Sequence, residues 1–189
     1  EGKLNLRASL AEYLPGVRLL GAGGKNLADQ SGLTVSYVYA GDAPDVNGGE
    51  VVLVTRILAN VNVTIVGAAV TAPDGKQEQI LMEPDRDRPG LGYYLASYGT
   101  RANSDPARPE EYKLVIEVHD VAGAMKKSEP YSFYVPTGWR TTASGLKVRD
   151  IRPGSEPTAA EGDTVSVHYT GWLDNGMQFD SSRQPGRGP

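Results

Sequence analysis

Between positions 33 and 135, short runs of alternating apolar and polar residues are separated by clusters of Gly, Pro and Asp. Runs 34–40, 51–58, 61–70, 77–82, 91–98, 112–120 and 131–135 are rich in β-branched and aromatic residues and read as strands. Tyr112, Leu114, Ile116 and Val118 point one way, while Lys113, Glu117 and His119 point the other. Val61, Val63 and Ile65 are expected to share a face, with Asn62 and Thr64 opposite. Turn signals separate the runs at Gly41-Asp42-Ala43-Pro44, Pro73-Asp74-Gly75, Arg88-Pro89-Gly90 and Val121-Ala122-Gly123.

About seven short antiparallel strands in about 100 residues predict a mainly β fold, an immunoglobulin-like antiparallel β-sandwich over 33–136. The stretch from Glu111-Tyr112-Lys113-Leu114 to Asp120-Val121-Ala122-Gly123 resembles the late strand and turn of bacterial immunoglobulin-like repeats. That fold carries no function by itself. Residues 1–32 form an amino-terminal arm. Leu6, Leu10 and Leu14 have helical spacing that Pro15-Gly16 would stop, whereas 17–20 reads equally as a strand. Gly21-Ala22-Gly23-Gly24-Lys25 lacks the Ser or Thr of a phosphate-cradling loop and reads as a turn. Residues 137–143 read as a linker in which Trp139 seals one domain against the other.

The remaining segment, 144–189, carries the densest set of motifs. In order they are Gly162-Asp163-Thr164-Val165, His168-Tyr169-Thr170-Gly171-Trp172-Leu173, Asn175-Gly176 and Phe179-Asp180-Ser181-Ser182-Arg183. This segment resembles the amino-terminal part of an FKBP-type peptidyl-prolyl cis-trans isomerase domain. The resemblance implies the first strands of an antiparallel sheet: 145–151, a long strand 164–173, a turn at Asp174-Asn175-Gly176 and a returning strand 177–180. It also implies a proline pocket walled by Tyr169 and Phe179, with Asp180 polarising the site through an arginine. An ungapped count puts Pro185 at that arginine's place, which leaves Arg183 or Arg187 as substitutes. The rest of the family's pocket is expected beyond Pro189, so this chain alone is expected to be inactive. An intact mass above 20.2 kDa for the protein from its source is the corresponding expectation.

The hairpin poses a register problem. A two-residue Asn175-Gly176 turn pairs Trp172 with Phe179 and places Phe179 opposite the Tyr169 face. Both aromatics line one pocket only with a longer turn or a bulge, and such a shift is predicted. Each residue also has a plainer reading: Tyr169 and Phe179 as core aromatics, Asp180 as a turn residue. His168 is expected to face solvent, and Trp172 to pack rather than touch substrate.

The composition narrows the partners. Net charge is −4, with no basic footprint for nucleic acid. Cysteine is absent, which excludes disulfides, thiol catalysis and cysteine-held metal. Two histidines without metal-ligand spacing predict no metal, and no cofactor is expected. Asp42, Asp45 and Asn47, and likewise Asp85 and Asp87, fit no calcium-loop spacing and read as turns. No apolar run approaches the roughly 20 residues of a membrane-spanning helix. Asn62-Val63-Thr64 matches a glycosylation sequon but falls inside predicted strand 61–70.

The expected partners are proline-containing polypeptides, together with a protein partner or self-assembly through the sandwich. The immunoglobulin-like resemblance and the start at Glu1 rather than methionine imply a periplasmic or extracellular protein. The competing reading is a non-catalytic β-sandwich binding or structural protein of a surface assembly, with a vestigial or truncated isomerase-like segment.

Overall fold

A computed structural model describes residues 32–155 and 157–189. The expected features at Leu6, Leu10 and Leu14 and at 21–25 lie outside the described residues. Among those described, the chain is mainly β and has no helix. The strands are β1 Leu33–Ala40, β2 Gly49–Ala59, β3 Val63–Thr71, β4 Gln77–Leu81, β5 Glu83–Pro84, β6 Tyr93–Thr100, β7 Glu110–Asp120, β8 Met125–Lys127 and β9 Tyr131–Val135. Four short ones follow: β10 Arg140–Thr141, β11 Lys147–Val148, β12 Thr170–Trp172 and β13 Gln178–Ser181. Two compact units result, Glu1–Ile151 and Arg152–Pro189.

In the first unit, one sheet has the order β1-β2-β6-β5 and the other β4-β3-β7-β8, with β9 also on β7. Every pairing is antiparallel. The two sheets share one core. Leu33, Leu53 and Ile57 of the first meet Val66, Leu114, Ile116 and Val118 of the second. The alternation read along 112–120 survives intact: Tyr112, Leu114, Ile116 and Val118 are all buried. Three rings fill one end of this core. Tyr112 stacks on Phe133 at 5.3 Å, and Tyr98 meets both edge-on at 5.9 and 6.3 Å. The buried Tyr112 hydroxyl accepts the Arg101 amide at 3.1 Å, so its polar end is satisfied.

β3 departs from the expected alternation. Its register shifts between Val63 and Ile65, leaving Thr64 as the extra residue. The Thr64 hydroxyl occupies the irregularity, lying 3.1 Å from the His119 carbonyl and 3.3 Å from that of Asp120. Parity therefore reverses. Val63 packs against the core and Ile65 is exposed, while Val66, Ala68 and Val70 point inward. Because β3 begins at Val63, Asn62 lies in the preceding turn, not inside a strand as expected.

Asp42, Asp45 and Asp85 are occupied by backbone amides. Asp42 accepts the Tyr134 amide at 2.8 Å, Asp45 that of Asn47 at 2.7 Å, and Asp85 that of Asp87 at 2.9 Å. The last two are Asx turns, in which a short carboxylate replaces a carbonyl two residues back.

After β9 the chain makes a small hairpin. β10 pairs β11, turning on Gly145 at φ 85°. Beyond the strands, the Asp150 carbonyl accepts the Thr137 amide at 2.9 Å, and the Asp150 amide donates to Thr137 Oγ1 at 3.0 Å. Residues 145–151 thus pair back onto 137–141. Trp139, expected as a seal, is 66% exposed and carries the Arg149 guanidinium 5.1 Å over its ring.

Candidate functional site

The second unit is organised by one hairpin, β12 against β13. Its turn is longer than Asn175-Gly176 alone. The Leu173 carbonyl accepts the Gly176 amide and the Leu173 amide donates to the Met177 carbonyl, both at 2.8 Å. Asp174, Asn175 and Gly176 therefore form a three-residue connection, the type that ends in a left-handed residue. Gly176 supplies that conformation at φ 81°, while Asn175 Oδ1 accepts the Met177 amide at 3.0 Å.

A bulge follows. Trp172 pairs Gln178, but Gly171 pairs Asp180, so Phe179 is the extra residue. Both devices anticipated from the register problem are present. Their consequence is geometric. A Cβ added to Gly171 would lie 2.5 Å from Phe179 Cζ, so the Phe179 ring occupies the space a side chain at 171 would take. Residues 169 and 171 are two apart along an extended chain and share a face. Phe179 has been brought to the Tyr169 side.

Asp180 joins them there. Its Oδ2 accepts the Tyr169 hydroxyl at 2.6 Å, and its Oδ1 accepts the Ser181 amide at 2.9 Å. The Arg187 guanidinium pairs with the same Oδ1. Of the two candidate arginines, the structure seats Arg187 on Asp180. A turn in which the Arg187 amide donates to the Gln184 carbonyl at 3.1 Å, with Gly186 at φ 82°, brings it back. Pro185 sits inside that turn.

Beneath the site lies a serine pair that sequence reasoning left without a role. Ser181 and Ser182 are 3% and 2% exposed in a unit whose other side chains are largely open to solvent. Ser182 Oγ accepts the Tyr169 amide at 2.9 Å, and the Ser182 amide donates to the Tyr169 carbonyl at 3.0 Å. Ser181 Oγ lies 2.9 Å from Thr170 Oγ1. These bonds clamp the backbone of Tyr169 to the end of β13. His168, though exposed, places Nδ1 3.2 Å from Ser182 Oγ. Gly171 and Ser182 both fall within the motifs of this segment, small residues two and three positions from Tyr169 and Phe179 respectively, and that was the available signal.

The expected long strand 164–173 is a correction. Only Thr170–Trp172 forms a strand, because among the described residues β13 alone lies beside it and ends at Ser181. Val165 and Val167 are exposed, as are Tyr169, Trp172 and Phe179.

Electrostatics couple the three polar groups. The hydrogen bond from Tyr169 holds the Asp180 carboxyl below its ordinary 3.8, helped by the Ser181 amide and Arg187. The same bond raises the Tyr169 phenol above its ordinary 10.0. For a depressed carboxyl, stabilisation is fully present above the unfolded value and is lost as pH falls through the lower folded value. The contact is therefore expected to hold from neutral pH down to 3.8 and to open below it. A carboxyl-carbon NMR titration reads this directly. Tyr169→Phe should move the Asp180 midpoint upward; an unchanged midpoint would show that the hydroxyl is not its partner.

The arrangement contains no activated nucleophile and no gathered metal ligands among the described residues. It offers two aromatic walls, one phenolic donor and one charge-paired carboxylate. Such a surface holds and orients a largely apolar group bearing a polar atom.

Comparison with known proteins bears on this same segment. Residues 155–188 match the family model described as FKBP-type peptidyl-prolyl cis-trans isomerase. FK506-binding protein 1 of Aspergillus oryzae is 50% identical over 54 residues, covering 24% of this chain and 47% of that protein. The FK506-binding protein of Neisseria meningitidis serogroup B is 50% identical over 44 residues, covering 22% of this chain and 40% of its own. The chain thus spans less than half the length of these relatives. The hairpin that joins Tyr169, Phe179, Asp180 and Arg187 lies inside the segment that matches the FKBP-type peptidyl-prolyl cis-trans isomerase model.

Proposed function

We propose that the protein is an FKBP-type peptidyl-prolyl cis-trans isomerase of the cell envelope or exterior that assists protein folding. Its substrates are Xaa-Pro bonds in proline-containing polypeptides. The observation that carries this reading is the convergence of Phe179, Tyr169 and the Asp180–Arg187 pair on one face of the hairpin.

Isomerisation must cross a barrier of roughly 18–20 kcal/mol that resides in the partial double bond of the amide. In the twisted form that resonance is broken, and the carbonyl and nitrogen are less polar than in either planar form. An apolar wall such as Phe179 holds the proline ring and excludes water, which favours the twisted form. Tyr169 and Asp180 fix the orientation of what binds beside it. Arg187 keeps Asp180 charged and in place, acting as a positioning residue.

The first unit is proposed as an immunoglobulin-like module for binding or anchoring. Two observations support that reading. The strand orders β1-β2-β6-β5 and β4-β3-β7-β8, with β9 also on β7, are similar to those of the two sheets of such domains. Tyr112, near the start of β7, bonds through its hydroxyl to upstream backbone at Arg101, as the tyrosine corner of that fold does.

The test is a prolyl isomerisation assay on the protein isolated from its source. It should accelerate a process that otherwise takes tens to hundreds of seconds, and Asp180→Ala should slow it. Absence of acceleration by the wild-type protein would sink the proposal.

A further inference from the structure

The first unit holds a cleft that the isomerase reading does not use. It has a volume of about 1180 Å³ and lies between the end of β2, the β2–β3 turn and the loop leading from β5 to β6. Its walls carry three arginines, Arg56, Arg86 and Arg88, against one acid, Asp85. Asp87, between two of them in sequence, does not line it. This concentration of positive charge stands in a chain whose net charge is −4.

The three arginines are not equivalent. Arg88 is charge-paired: its Nε bonds Asp85 Oδ2 at 2.5 Å and its guanidinium lies 3.9 Å over the Tyr93 ring, while its buried Nη2 has no hydrogen-bond partner among the described residues. Asp85 is held below its ordinary value, against burial, by Arg88 and the Asp87 amide. Arg56 is held by neutral partners only. Its Nε donates to the Leu91 carbonyl at 3.1 Å, and its guanidinium lies 5.4 Å from the centre of the same Tyr93 ring. That leaves both terminal amino groups of a positioned, partly buried guanidinium without an acceptor among the described residues. Arg86 is exposed at the rim and has no ion-pair partner among them.

The wall opposite Arg56 is built rather than loose. The Leu91 amide donates to the Arg88 carbonyl at 3.3 Å across Pro89-Gly90, with Gly90 at φ 74°. Gly92, at φ 75°, passes so close to β2 that an added Cβ would sit 2.1 Å from the Ile57 carbonyl oxygen. A guanidinium fixed before its ligand arrives loses little freedom on binding. Its planar fork matches carboxylate, phosphate and sulfate oxygens alike.

We propose that this cleft binds an oxyanion carried on a small polar molecule, with Arg56 as the inner and Arg86 as the outer guanidinium. Arg88 is the structural member that holds the Tyr93 ring and the loop. The shared chemistry is the oxyanion; its source is either a phosphate or sulfate group or a carboxylate.

Amide chemical-shift titrations of the 189-residue chain with inorganic phosphate, inorganic sulfate and acetate decide the matter. At least one probe should produce saturable shifts clustered at 56–62 and 85–93. The tightest of the three identifies the source. Arg56→Gln and Arg86→Gln should each weaken binding about tenfold, the loss of one charge-assisted hydrogen bond. Arg86→Gln removes an exposed side chain and leaves the fold intact, so its result does not depend on folding. Lys76→Gln, on an exposed lysine outside the cleft, should change nothing. No saturable shift with any probe, unchanged affinity in Arg86→Gln, or an equal loss in Lys76→Gln would each overturn the proposal.

Discussion

Replacing Phe133 with alanine is expected to lower the unfolding free energy of the first unit by about 3–5 kcal/mol. Phe133 is fully buried on β9, stacked on Tyr112 and edge-on to Tyr98. Removing the ring withdraws apolar contact from both neighbours and leaves a cavity that two large tyrosines on other strands cannot collapse into. Tyr112 is pinned by the Arg101 amide at its hydroxyl, which limits such relaxation. A urea titration followed by near-ultraviolet absorbance of the tyrosines reads the change. A loss under about 1 kcal/mol would mean that the aromatic cluster is not a determinant of this core.

The second large effect concerns activity. Phe179→Ala is expected to lower kcat/KM for prolyl isomerisation about ten- to hundredfold. The magnitude follows from losing one phenyl wall, worth roughly 1.5–3 kcal/mol, at about 1.4 kcal/mol per tenfold in rate. Because the Phe179 ring is 64% exposed, its removal should leave the unfolding midpoint nearly unchanged. A matching fall in stability would point instead to a structural ring. Gly171→Ala offers an independent approach from the facing strand. Its methyl would enter the space of the ring, and the ring, being a side-chain end, would swing aside. Both variants should reduce activity in the same direction. If Gly171→Ala alone is silent, the ring position over β12 is irrelevant to the reaction.

Much of the fold was legible in the residue pattern. The alternation from Tyr112 to Val118 translated directly into burial, because β7 lies centrally in its sheet and pairs β3 along most of its length. The turns at Pro73-Asp74-Gly75 and Arg88-Pro89-Gly90 were readable for a different reason. They rest on local chemistry, in which an aspartate accepts a nearby amide or a glycine takes positive φ. The parity of β3 was not readable. One extra residue at Thr64 reverses every later position, and nothing within 61–70 distinguishes it from an ordinary strand residue. Its cause is on β7, in the carbonyls of His119 and Asp120.

The hairpin at the site was intermediate. Two aromatics required on one face, with a turn that would separate them, sufficed to anticipate a shift in register. Its form, a three-residue turn followed by a bulge at Phe179, emerged only with the strands paired. The arginine for Asp180 was similar. Counting residues left Arg183 and Arg187 as alternatives, and the Gln184–Arg187 turn selected Arg187.

By itself, then, the sequence determined the strand-rich character, most turns and the motif set from Gly162 to Arg183, because each depends on residues near one another along the chain. Tertiary structure alone decided which strand carries a bulge, which arginine meets Asp180, and that Arg56 and Arg86 share a cleft. The β3 bulge and the cleft arise where segments distant in sequence lie side by side, and Arg187 reaches Asp180 only once the turn after β13 has closed, so the energies that select among registers and partners exist only in the folded chain.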